Sequence, residues 1–112
     1  MYLAGYGVEC MLKWYLISVA PGLDRLAQVS DELQRQGGTK KDICGAAGHD
    51  IPHLLALTGL EAQFGPDHKQ WMGICGRWRS DWRYDPAPAN RENAEQFVRA
   101  ARSMTDWIQS RI

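Results

Sequence analysis

The chain has 112 residues, 45% of them hydrophobic, and its 13 basic and 13 acidic residues leave no formal net charge at pH 7. This length predicts one domain, residues 1–112, with a single core. The charge balance excludes a global field that attracts nucleic acid, so any such contact must come from a local basic patch.

Three cysteines without a close pair match neither a disulfide framework nor a zinc signature, which favours a reducing, cytoplasmic compartment. The apolar run near the N-terminus is too short and too charged to span a membrane, and it lacks the basic region and cleavage site of a signal peptide. We therefore expect no contact with a membrane.

The first predicted helix, residues 3–18, is the most apolar stretch of the chain. Because it is apolar on nearly every face, we expect it to be buried on all sides. Glu9 and Lys13 interrupt it four residues apart, which places both charged groups on one helical face. Two interpretations stay open: an intrahelical ion pair at the edge of the core, or a functional polar spot that faces a cleft. Pro21-Gly22 ends the helix.

Two more helices are predicted in the first half of the chain. Residues 23–36 carry an amphipathic pattern that Gly37 and Gly38 end. Asp50 is a good N-cap for a short apolar helix that ends near Gly59. His49 and His53 flank the start of this helix, so they would not share a helical face, and no third ligand is placed to complete a metal site. We predict no metal and no cofactor, and we expect His68 to lie in a turn.

Residues 71–86 form a locally basic, aromatic stretch. The aromatics could stack on bases while the arginines pair with phosphates, or the tryptophans could pack a loop over the helices while the arginines pair with nearby aspartates. The residues concerned are Trp71, Trp78, Trp82, Tyr84, Arg77, Arg79 and Arg83. A last amphipathic helix is predicted from about Asn90 to the end of the chain, with Phe97, Val98 and Met104 on its apolar face.

Residues 4–13 have the sequence Ala-Gly-Tyr-Gly-Val-Glu-Cys-Met-Leu-Lys. This segment resembles the signature helix of HEPN domains (higher eukaryotes and prokaryotes nucleotide-binding), whose pattern is close to Ala-Gly-Tyr-x-x-Glu-x-x-x-Lys. Residues 48–55 resemble the family's His-Asp-Leu-x-x-Leu-Leu segment. Residues 78–86 resemble a tryptophan and Arg-Tyr element of one bacterial branch, and residues 94–108 resemble the closing helix. The resemblance covers about two thirds of the chain, with its motifs in the family's order.

The resemblance implies an all-α fold, an HEPN-like up-and-down antiparallel helical bundle, and a homodimer. It also implies a ligand site lined by Glu9, Lys13, Trp78, Arg83 and Tyr84. In this site Lys13 and Arg83 would hold phosphate, Glu9 would orient Lys13 or accept from a ribose hydroxyl, and Tyr84 or Trp78 would stack on a base.

The chain departs from the HEPN pattern in two ways. It lacks the usual helix before residues 4–13, so the bundle is incomplete, the start is misplaced, or a partner supplies the cover. It also lacks the family's ribonuclease motif, an Arg followed four to six residues later by a His, because His68 is the last histidine. We therefore expect a protein without catalytic activity.

Three functions are consistent with these features. The first is a non-catalytic protein that binds nucleotide or RNA, or that pairs with a nucleotidyltransferase in a toxin-antitoxin or defence system. The second is a divergent, metal-independent ribonuclease toxin in which His49 replaces the missing histidine. The third is a purely structural dimerisation module with tryptophans as interface anchors.

Overall fold

A computed structural model describes residues 2–37, 42–80 and 91–112, and within these ranges the chain is helical and has no strand. The predicted all-α fold is confirmed. Helix α1 packs against α5, α3 and α2, and α4 packs against α5. Two short 3₁₀ helices flank α3. The α-helices are α1 (Tyr2–Val19), α2 (Leu26–Arg35), α3 (Ile51–Thr58), α4 (Pro66–Cys75) and α5 (Arg91–Gln109).

The core is one apolar cluster to which all five helices contribute. Helix α1 contributes Val8, Leu12 and Leu16, which recur every four residues along one face. Helix α5 contributes a stripe with the same period, made of Phe97, Ala100, Ala101, Met104 and Ile108.

The helix ends agree with the local signals in the sequence. The Asp50 side chain accepts a hydrogen bond from the backbone N–H of His53 at 3.1 Å, so it caps α3 as predicted. Gly59 adopts φ 71° after the last residue of α3, the left-handed conformation in which glycine avoids a steric penalty. Gly22 has φ 75° in the turn that follows α1.

The expectation that the first helix is buried on all sides is wrong for the single chain. Leu3, Tyr6 and Trp14 are exposed on the face of α1 that points away from the core, and the Trp14 side chain is 59% exposed. The other face is buried because only that face meets α3 and α5. Within the single chain, the cover of α1 is therefore limited to the face that meets other helices.

Helix α4 was not predicted from the sequence. We expected His68 to lie in a turn, but the helix begins at Pro66 and includes both His68 and Trp71. The Nδ1 atom of His68 accepts a hydrogen bond from the Gly65 backbone N–H at 2.8 Å, which satisfies one of the unpaired donors at the helix start. The His68 ring also contacts the Trp107 ring, with centroids 4.7 Å apart, so this histidine joins α4 to α5.

Candidate functional site

A buried carboxylate on α1 forms the centre of the candidate site. The Glu9 side chain is only 2% exposed. Its Oε2 accepts a hydrogen bond from Lys13 Nζ at 3.0 Å, and its Oε1 lies 2.8 Å from His49 Nδ1. The predicted spacing of Glu9 and Lys13 thus produces a direct ion pair, and a third residue from a distant segment completes the cluster. We call Glu9, Lys13 and His49 the α1 polar cluster.

The geometry of the α1 polar cluster specifies where the imidazole carries its proton. An ionised carboxylate only accepts hydrogen bonds, so Nδ1 of His49 must be the donor to Glu9. In a neutral ring this leaves Nε2 unprotonated and able to accept a proton. The His49 side chain is 44% exposed and that of Lys13 is 17% exposed, so both are more accessible to solvent than the carboxylate that binds them, which is 2% exposed.

The loop before α3 brings His49 to Glu9. Buried Ser30 on α2 accepts a hydrogen bond from the Ile43 backbone N–H at 3.1 Å and donates one to Asp42 Oδ1 at 2.8 Å. Asp42 also accepts from the Cys44 backbone N–H at 2.9 Å. These bonds attach the start of the loop to α2, and a 3₁₀ helix at residues 46–49 then carries the chain to His49.

Gly48 belongs to the second motif of the HEPN resemblance and has a specific steric role. A Cβ atom at this position would overlap the Ile43 carbonyl and would lie 3.0 Å from Lys13 Nζ. Only glycine therefore allows the loop to approach its own preceding turn and α1 this closely. The absence of a side chain also leaves space beside the lysine ammonium.

The third element of the resemblance, at Trp78, packs on the first. A Cβ atom at Gly5 would overlap the Trp78 ring, so the glycine of the Ala-Gly-Tyr motif accommodates an indole. The Trp78 side chain is 4% exposed, and its Nε1 donates a hydrogen bond to the Tyr2 carbonyl at 3.1 Å. The neighbour that Gly5 accommodates is thus a side chain and not the backbone of another helix. Gly7 has no neighbour within 4 Å of an added Cβ.

A row of aromatic rings leads from the surface to the α1 polar cluster. The Tyr6 and Tyr2 rings are stacked with centroids 6.2 Å apart, and the Tyr2 and Trp78 rings follow at 5.9 Å. The Trp78 ring then meets the His49 ring edge-on at 6.5 Å. Sequence reasoning did not predict this row, because it depends on how the segment at Trp78 folds back over the start of α1.

The structure brings together Glu9, Lys13 and Trp78 of the five predicted ligand-binding residues. Arg83 and Tyr84 lie outside the described residues. His49, named from the sequence only as a substitute catalytic histidine, is in direct contact with Glu9. The contact joins residues 40 positions apart, so no local spacing in the sequence could indicate it. The signal that the sequence offered for it was the order of the motifs that resemble HEPN domains.

Comparisons with known proteins add no identification. No family profile, curated protein or solved structure matches this chain. Within residues 2–37, 42–80 and 91–112, no group of three or more His, Cys, Asp or Glu side chains is arranged to hold a metal ion. In the same ranges, no helix has the length and apolar character needed to cross a membrane.

Proposed function

We propose that the protein is a non-catalytic helical module of HEPN type that binds nucleotide or RNA through the α1 polar cluster. The observation that supports this proposal is that one buried carboxylate binds both Lys13, which is partly buried, and the more exposed His49. A lysine ammonium has three N–H donors, and Glu9 accepts from one of them. The lysine therefore keeps donors for phosphate oxygens, as does His49 when it is protonated.

Within the α1 polar cluster, the Lys13 ammonium is the group that fits an anionic ligand. With ionised Glu9 and charged Lys13 the cluster is neutral when His49 is neutral, and it carries one positive charge when His49 is protonated. We expect Arg83 and Tyr84 to contribute to the same ligand, on the sequence resemblance alone.

The binding proposal is tested by calorimetric titration with ADP and with a short single-stranded RNA. Lys13→Met should lower the affinity at least about tenfold, since a charge-assisted hydrogen bond contributes about 1.5–3 kcal/mol. Lys69→Met, which removes an exposed lysine on α4, serves as the charge-matched control and should bind like the wild type. Equal affinities for the wild type and Lys13→Met would contradict the proposal, provided that both melt at similar temperatures.

A second candidate function is a divergent, metal-independent ribonuclease, and the contact between Glu9 and His49 favours it. A carboxylate that holds Nδ1–H leaves Nε2 able to remove a proton from a ribose 2′-hydroxyl, which is the arrangement of a general base. Lys13 lies within reach to offset charge on the phosphate. Incubation with total tRNA tests this function, and the Glu9→Ala and His49→Ala variants control for contaminating nucleases. Intact RNA with the wild-type protein would exclude it.

Self-association is a third part of the proposal. Leu3 and Trp14 are large apolar side chains exposed on α1, and such residues are enriched in protein interfaces when they form a contiguous patch. A homodimer, or a complex with a nucleotidyltransferase, would cover them. Light scattering of the wild type and of Trp14→Glu tests the homodimer: a dimer that the variant converts to a monomer supports it, and a monomeric wild type contradicts it.

A further inference from the structure

The exposed ring of Tyr6 lies on the same side of α1 as Lys13. Residues seven apart in an α-helix are separated by two turns, so they lie nearly one above the other and about 10.5 Å apart along the axis. Tyr6 is 44% exposed, and Glu9 lies between the two residues along the helix. An aromatic ring and a cationic group thus lie on one side of the helix, and the hydrogen bond from Lys13 Nζ to Glu9 Oε2 brings the ammonium back toward Tyr6.

We propose that Tyr6 is the base-stacking residue of this site, with the base on Tyr6 and the phosphates at Lys13 and His49. This inference rests on the binding function proposed above and extends it to the class of ligand, which must carry a nucleobase and not phosphate alone. Stacking on an aromatic side chain tolerates any base, because every base has a π face. The site would therefore select for nucleotides or single-stranded RNA with little preference for sequence.

Tyr6 suits this role better than Trp78 in the described structure. The Trp78 ring is almost fully buried, and its N–H is used by the Tyr2 carbonyl, so stacking on it would require the indole to leave its pocket. The Tyr6 ring is open to solvent and is already stacked on Tyr2 with an interplanar angle of 20°. A ring held in this way loses little conformational freedom when a ligand binds.

The electrostatics of Tyr6 are compatible with an anionic ligand. The neighbouring Cys10 side chain, electrostatically and through a hydrogen bond, raises the pKa of the Tyr6 hydroxyl above its usual value of 10.0, and the Glu9 carboxylate adds to the rise. Tyr6 therefore remains uncharged at neutral pH. An uncharged ring can lie beside a phosphate group without repelling it.

The experiment compares ligands with and without a base. Calorimetry measures the affinity of ADP, of a single-stranded RNA pentanucleotide and of inorganic tripolyphosphate for the wild type and for Tyr6→Ala and Tyr6→Phe. Val19→Ala is the control, because it truncates an exposed apolar side chain of the same helix outside the α1 polar cluster. Circular dichroism confirms that each variant retains its helical content.

Tyr6→Ala removes the ring on which the base would stack. Because base–aromatic stacking is worth about 1–3 kcal/mol, this variant should bind ADP and RNA about 5- to 150-fold more weakly, while its affinity for tripolyphosphate should be unchanged. Tyr6→Phe and Val19→Ala should bind like the wild type. If the wild type binds ADP or RNA and Tyr6→Ala binds equally well, the inference about Tyr6 is wrong while the binding function stands. If the wild type binds none of the three, both fail.

Discussion

The two glycines of the α1 motif provide a matched pair for testing how the site is assembled. Gly5→Ala and Gly7→Ala make the same change two residues apart on one helix, and both replace glycine by the residue with the highest helix propensity. Higher helix propensity alone should stabilise each variant by up to about 1 kcal/mol. The difference between them is steric, since an added Cβ overlaps the Trp78 ring at position 5 and meets nothing within 4 Å at position 7.

Gly5→Ala should therefore destabilise the protein, because the Cβ displaces a buried indole. Complete loss of a buried tryptophan costs about 3–5 kcal/mol. After the propensity gain is subtracted, we expect a net loss of about 2–4 kcal/mol, which lowers the Tm by roughly 8–17 °C. Gly7→Ala should instead raise the stability by about 0.5–1 kcal/mol. Guanidinium denaturation followed by far-UV circular dichroism measures both values.

A third variant isolates the contact between Gly5 and Trp78. In a Trp78→Ala background the overlap disappears, so Gly5→Ala should be neutral or slightly stabilising there. The resulting coupling energy in the double-mutant cycle should exceed about 2 kcal/mol. A Gly5→Ala protein as stable as the wild type, or a loss that persists without the indole, would refute the packing of Trp78 on α1.

The remaining predictions concern the loop before α3 and the buried thiol. Ser30→Ala leaves the buried Ile43 N–H without its acceptor and should cost about 1–3 kcal/mol in chemical denaturation. Hydrogen bonds from the Cys44 backbone N–H and the Ser30 hydroxyl lower the pKa of Asp42 below 3.8. The stability that these bonds provide is present above pH 3.8 and is lost as the pH falls through the pKa of Asp42 in the folded protein. Asp42→Asn should therefore weaken the dependence of stability on pH in the acid range. An unchanged dependence in that range would contradict this. Burial raises the pKa of the Cys75 thiol to about 12, so iodoacetamide at pH 8 should modify only the two exposed thiols of the native protein; modification of the third would show that it is accessible.

Much of the fold could be predicted from the sequence because its signals are local. The cap at Asp50 and the end of the helix near Gly59 depend on the residues of a single turn, and both predictions are confirmed. The pairing of Glu9 with Lys13 could be predicted for the same reason, since one helical turn determines it. Helix α4 was missed because its apolar residues are few, Gly73 interrupts them, and its stability comes from packing on α5.

The candidate site could be predicted only in part, because its decisive contacts are tertiary. The approach of His49 to Glu9 requires the loop to be attached to α2 through Ser30. Whether Trp78 packs or stacks on a ligand could not be decided from composition, since both interpretations use the same residue types. In the described structure Trp78 packs against Gly5. The predicted roles of Arg83 and Tyr84 stay predictions.

A nuclear magnetic resonance titration of the ¹⁵N-labelled wild-type protein with ADP tests the central claim most directly. We predict saturable chemical-shift changes that centre on Tyr6, Lys13 and His49, including the imidazole nitrogen resonances of His49. Absence of shifts at millimolar ADP would contradict the account. So would shifts centred on the apolar groove between α1 and α2, which Leu16, Val19 and Leu33 line.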